Sequence, residues 1–130
     1  MTHTASCRCG NLSLIATGEP VRVSVCHCLN CQKRSGSAFA AQVRFPADQV
    51  TIEGDSTSFA IAGDSGNLAD FHFCPACGAT VYFINRNMAD TVAVPLGMFD
   101  DARAFRPHFS MFENRKHDWL EIVGPGIEHD

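Results

Sequence analysis

A chain of 130 residues is the size of one domain, expected to span residues 1–130, and its 45% hydrophobic and 18% charged content is that of a globular protein. The formal charge of −4 argues against binding that neutralises many phosphates, so nucleic acid is not an expected partner. No apolar stretch approaches the roughly 20 residues that cross a bilayer, and residues 1–6 have neither a basic nor an apolar leader segment, so no membrane partner and a cytoplasmic location are expected.

Short β-branched and aromatic runs recur between turn signals, which predicts a mainly β fold. The predicted strands are residues 12–16, 21–25, 39–45, 50–53, 58–61, 68–73, 80–84 and 91–96, with the clearest alternation in Val21-Arg22-Val23-Ser24-Val25. Between them lie Gly18-Glu19-Pro20, Pro46-Ala47-Asp48, Glu53-Gly54-Asp55 and Gly63-Asp64-Ser65-Gly66, all turn formers. Helix is expected only for a turn or two after Cys28 and around residues 112–118, and Asp100, Asp101 and Arg103 read as a solvated turn.

Seven cysteines form three clusters: Cys7-Arg8-Cys9, Cys26-His27-Cys28-Leu29-Asn30-Cys31, and Cys74-Pro75-Ala76-Cys77-Gly78. An odd number without an export signal points away from a disulfide framework and toward metal or redox chemistry. A C-x-x-C turn followed by Gly presents two thiolates to one metal, which makes Cys74 and Cys77 half of a tetrahedral zinc site. Cys7 and Cys9, two apart on an extended segment, share a face and supply the other half. Zinc held there would close a long loop and contribute directly to folding.

Cys26, Cys28 and Cys31 remain, and three ligands are what an open, catalytic zinc site uses. Two zinc ions per chain are therefore expected, one structural and one catalytic. Other readings stay open at this point: buried or redox-active thiols, iron–sulfur ligation, or closure of the second site by His72 or His108.

The ordered set Cys7-x-Cys9-Gly10, Cys26-His27-Cys28-x-x-Cys31-Gln32-Lys33 with Gly36, and Phe73-Cys74-x-x-Cys77-Gly78 resembles the glutathione-dependent formaldehyde-activating enzyme (GFA) family, also described as the CENP-V/GFA domain. Pro107-His108 followed by Trp119 is similar to that family's C-terminal segment. The resemblance implies a β-tent fold of short antiparallel strands around a structural zinc on Cys7, Cys9, Cys74 and Cys77, with a catalytic zinc on Cys26, Cys28 and Cys31. It also implies carbon–sulfur lyase activity on a small thiol, glutathione, and its aldehyde adduct. The founding enzyme's Cys-Gly-Cys and Lys-Cys-Trp are here Cys26-His27-Cys28 and Asn30-Cys31-Gln32, so the substrate is less fixed than the metal sites.

Three thiolates on Zn²⁺ leave a local charge of about −1, which suits binding of a soft external thiolate better than activation of water. His27 is the expected proton-transfer residue, the alternative being a packing or ligand-orienting role. Asn30 is a weaker candidate to orient a carbonyl. Lys33, Arg34 and Arg44 are candidates to pair with the carboxylates of glutathione, the alternative being solvated surface charge. The competing function is a non-catalytic zinc module that binds a protein partner, although a basic tail suited to that role is missing. A nucleobase deaminase is excluded because no Glu stands two residues after any His or Cys.

Overall fold

The computed structural model describes residues 1–130, which form two β-sheets and one helix. Strands β1 (Thr2–Ser6), β2 (Ser13–Thr17) and β5 (Val50–Glu53) make an antiparallel three-stranded sheet in the order β1-β2-β5. The remaining strands are β3 (Arg22–Cys26), β4 (Ala40–Pro46), β6 (Thr57–Ala62), β7 (Leu68–Phe73), β8 (Thr80–Asn85), β9 (Thr91–Pro95), β10 (Phe109–Met111) and β11 (Glu128–His129). They form an eight-stranded sheet in the order β11-β10-β3-β4-β9-β8-β7-β6.

The fold is mainly β, as the turn-punctuated pattern predicts. Besides the short β10 and β11, which were not expected, three details differ. β1 was not expected, because its inward positions are His3 and Ala5 rather than large aliphatic residues. The sheet is mixed rather than wholly antiparallel, since β10 runs parallel to both β3 and β11. The helix expected over 112–118 is only a 3-10 turn, Glu113–Arg115, because Phe112 takes the left-handed conformation at φ 57° and Lys116 is extended.

The two sheets pack face to face. Leu12, Leu14 and Ala16 meet Val43, Phe45, Val92 and Val94 in one apolar core, which Phe99 and Phe105 close at one end. His3 is buried among Phe45, Phe99 and Phe105, with Nδ1 2.8 Å from Asp101 Oδ2, so that Asp101 serves as its partner.

The large sheet is covered on both faces in its central part. Val23 and Val25 of β3 are buried on one face, and Ser24 and Cys26 on the other. By strand register, Cys26, Ser24 and Arg22 share that second face with Ala40, Gln42 and Arg44 of β4. The face continues through Ala93 to Phe83 of β8 and Phe71 of β7. A single surface thus carries one cysteine, one amide and two guanidinium groups beside two phenyl rings.

Gly54 ties the small sheet to the first cysteine loop. Its φ is 97°, and a Cβ there would lie 2.0 Å from the backbone oxygen of Asn11. Gly54→Ala is therefore expected to cost at least about 2 kcal/mol, from backbone strain and displacement of the segment after Cys9. An unchanged urea midpoint would contradict this.

Candidate metal centres

Cys7 and Cys9 follow the end of β1, and Cys74 and Cys77 follow the end of β7. Each pair sits in a tight turn closed by backbone hydrogen bonds, Gly10 N to Cys7 O at 3.2 Å and Gly78 N to Cys74 O at 2.8 Å. Gly10 and Gly78 adopt φ values of 86° and 79°, which a side chain would strain. Backbone N–H groups also point at sulfur: Leu12 donates to Cys7 Sγ at 3.3 Å and Ala76 to Cys74 Sγ at 3.4 Å.

The four sulfurs lie within 4.8 Å of one another. Two of the edges, Cys7 to Cys9 and Cys9 to Cys74, are 3.6 Å. A tetrahedron with Zn–S bonds of about 2.3 Å has edges of about 3.8 Å, whereas a disulfide has a sulfur separation of about 2.05 Å. The donor set, its spacing and its N–H···S bonds fit a four-thiolate metal ion. Hydrogen bonds from the Ala79 and Cys9 backbone hold the Cys77 thiol down to about 6. Cys9 is pushed up to about 11: the Asn11 backbone pulls it down, but the Cys74 thiol and burial outweigh that.

The second cluster stands at the junction of β3 and the helix α1 (Leu29–Ser35). Cys26 ends β3, Cys28 is the N-cap of α1, and Cys31 lies in its first turn, donating its N–H to Cys28 Sγ at 3.3 Å. Their sulfurs also lie within 4.8 Å of one another, and no His, Asp or Glu joins them. His72 is engaged elsewhere, with Nδ1 3.0 Å from Ser56 Oγ and its ring stacked on Tyr82. His108 lies by Phe105 and Met1 in a separate surface groove.

Within the triplet, the hydrogen bond to Cys26 holds the Cys31 thiol down to about 6, while the same contact, with burial, pushes Cys26 up. The cluster on its own favours one charged sulfur. A bound metal cation would favour ionisation of all three.

These sulfurs line a cavity of about 160 Å³ whose walls include Gln42, Arg44, Phe71 and Phe83. The loop between β6 and β7 forms its mouth, held to α1 by Asn30, whose Nδ2 donates to Ala62 O at 3.1 Å and Asp64 Oδ1 at 3.3 Å. A second cavity of about 300 Å³ shares Asn30, Ile61 and Phe71 with the first and adds Lys33 and Arg34. The Arg34 guanidinium carbon lies 5.0 Å from the Phe83 ring centroid, and that of Arg44 lies 5.7 Å from it.

His27 is wholly buried and is not among the residues that line the cavity. Its Nε2 is 2.9 Å from Ser110 Oγ, its backbone N–H donates to Met111 O, and its carbonyl accepts from Gln32 Nε2 at 2.8 Å. Burial lowers its pKa, outweighing the charge of Glu113, which acts to raise it. Gln32 in turn meets His117 Nε2 at 2.9 Å, so α1 and the C-terminal segment clamp the peptide between Cys26 and Cys28. The sequence offered no signal for Ser110 or Gln42. Their proximity depends on the parallel β10 pairing and on the β3–β4 register.

A mainly β domain with a closed four-cysteine cluster, and a three-cysteine cluster beneath a cavity, defines a protein able to hold metal ions on thiolates. The family model described as glutathione-dependent formaldehyde-activating enzyme matches residues 2–115, and the chain belongs to that family. Trp119 lies outside the matched segment and is largely exposed. A crystal structure of a Rhodobacter sphaeroides protein is similar at 17% identity and a TM-score of 0.59, covering 75% of this chain and 88% of that one, a likeness of fold. No curated protein matches the chain. No helix is long and apolar enough to cross a membrane.

Proposed function

We propose that this chain is a zinc-dependent carbon–sulfur lyase-type enzyme that makes or breaks the adduct between a small thiol of the glutathione type and an aldehyde. In this reading Cys7, Cys9, Cys74 and Cys77 hold a structural zinc, and Cys26, Cys28 and Cys31 a catalytic one. The observation that carries it is the three-cysteine cluster forming part of a cavity wall, with three protein ligands and room beside them. Membership of a family named for glutathione and formaldehyde supplies the substrate class.

Bound zinc would supply a Lewis acid that keeps a small thiol deprotonated and in place. The chain's part is geometry. Phe71 and Phe83 supply an apolar part of the wall, and residues of the β6–β7 loop add to the lining. The thiol sulfur attacks the aldehyde carbon, the carbon–oxygen π bond opens, and the proton lost by sulfur ends on the new hydroxyl. Holding the two reactants as an oriented pair is the cavity's contribution to the rate.

His27 acts here as a positioning residue, fixing the peptide that joins Cys26 to Cys28. His27→Asn is then expected to loosen metal at the three-cysteine cluster while leaving the shape of the pH–rate profile intact. Loss of one limb of that profile would assign proton transfer to His27 instead.

The test is titration of cobalt-substituted protein with glutathione. A saturable change in the thiolate-to-cobalt absorption, with adduct formation faster than the uncatalysed reaction, is expected. No change with any small thiol would overturn the reading and favour a non-catalytic zinc module.

A further inference from the structure

Arg44 is 7% exposed, yet its Nη1 is buried without a hydrogen-bond partner. The ion pairs of the fold are His3–Asp101, Arg86–Asp70 and His129–Glu113, so no carboxylate of the chain neutralises it. Its strand neighbour is another cation, Arg22. Beside it Gln42 Oε1, equally buried, has no partner, and both side chains line the three-cysteine cavity. The carboxylate at the mouth, Asp64, meets Asn30 instead.

Burying a cation and leaving its donors unmatched is costly, and native folds keep such groups where a partner arrives from outside. A guanidinium fork matches the two oxygens of a carboxylate. The cysteine sulfurs are the competing anion: burial and the neighbouring Arg22 lower the Arg44 pKa, Cys31 and Cys26 only partly oppose them, and neither sulfur is a hydrogen-bond partner of Nη1.

We propose that Arg44 is the specificity-determining residue of this cavity, pairing with a carboxylate carried by the thiol that binds beside Cys26, Cys28 and Cys31. This rests on the thiol reading above and narrows it to anionic thiols. Gln42 Oε1 accepts a hydrogen bond from the same ligand, so an N–H or O–H donor close to the carboxylate adds to recognition.

The test compares mercaptopropionate with its neutral amide, mercaptopropionamide, on cobalt-loaded protein, read by the thiolate absorption band. Wild type is expected to bind the carboxylate at least about tenfold more tightly. Arg44→Gln should erase that preference, weakening the carboxylate far more than the amide with metal content unchanged, and Arg44→Lys should restore part of it. Equal binding of the two thiols by wild type would overturn the assignment alone, without need of a variant. Loss of metal in Arg44→Gln, or equal weakening of both thiols, would overturn it too, by making Arg44 a counter-ion of the cysteines. If neither thiol binds wild type, the thiol reading falls and takes the assignment with it.

Discussion

Cys77→Ser should leave the chain without a cooperative unfolding transition at room temperature. The four-cysteine cluster joins the segment after β1 to the turn after β7, and Cys7 and Cys74 are part of the central apolar core. A structural zinc contributes about 10–16 kcal/mol of apparent binding free energy to the folded state, whereas a whole domain is stable by about 5–15 kcal/mol. Loss of one of four thiolates removes enough of the first to consume most of the second. Cys77 is the informative position because it is half-buried at the edge of the core, so loss of packing alone would have a small effect. Thermal melting followed by circular dichroism checks this, and a melting curve like that of wild type would contradict it.

Cys28→Ser should do the opposite, leaving the fold intact while one metal and the thiol-adduct activity are lost. Cys28 is the N-cap of α1 and its sulfur accepts from Cys31 N. Serine is among the preferred N-caps, so this substitution keeps the helix start and removes only the thiol. The expected fall in turnover is at least about a hundredfold, the scale on which catalytic metal sites respond to altered ligation. Elemental analysis beside a melting curve reads both halves. Retained metal would remove Cys28 from the ligand set, and global unfolding would remove the distinction between the two clusters.

The partition of the cysteines was legible because ligand spacing is a local property: a C-x-C, a C-x-x-C-Gly and a triplet each have their geometry within a few residues. Strands with aliphatic or aromatic alternation were legible for the same reason, including Val50–Glu53 and Leu68–Phe73. Thr2–Ser6 escaped because His3 and Ala5 fill its inward positions, and Phe109–Met111 because it is three residues long and pairs in parallel. Position 112 explains the missing second helix, since nothing in a phenylalanine announces a left-handed backbone.

The cavity walls were the hardest part. Gln42 and Arg44 alternate with Val43 and Phe45, which reads as a strand with one wet face. Only the register with Arg22, Ser24 and Cys26 turns that face into the neighbourhood of a thiol cluster. The sequence could offer Arg44 as one of three cations. Arg34 Nη2 also lacks a partner, but only Arg44 of the three is a buried side chain lining the three-cysteine cavity.

On the proposed reading, the seven cysteines make one closed and one open metal site. Native mass spectrometry of the purified protein tests it most directly, with stepwise addition of a mild chelator. About two zinc ions per chain are expected, the first released from the three-cysteine cluster without loss of fold and the second only as the chain unfolds. A single metal, two metals lost together with the fold, or a mass lowered by disulfide formation in freshly reduced protein would contradict it.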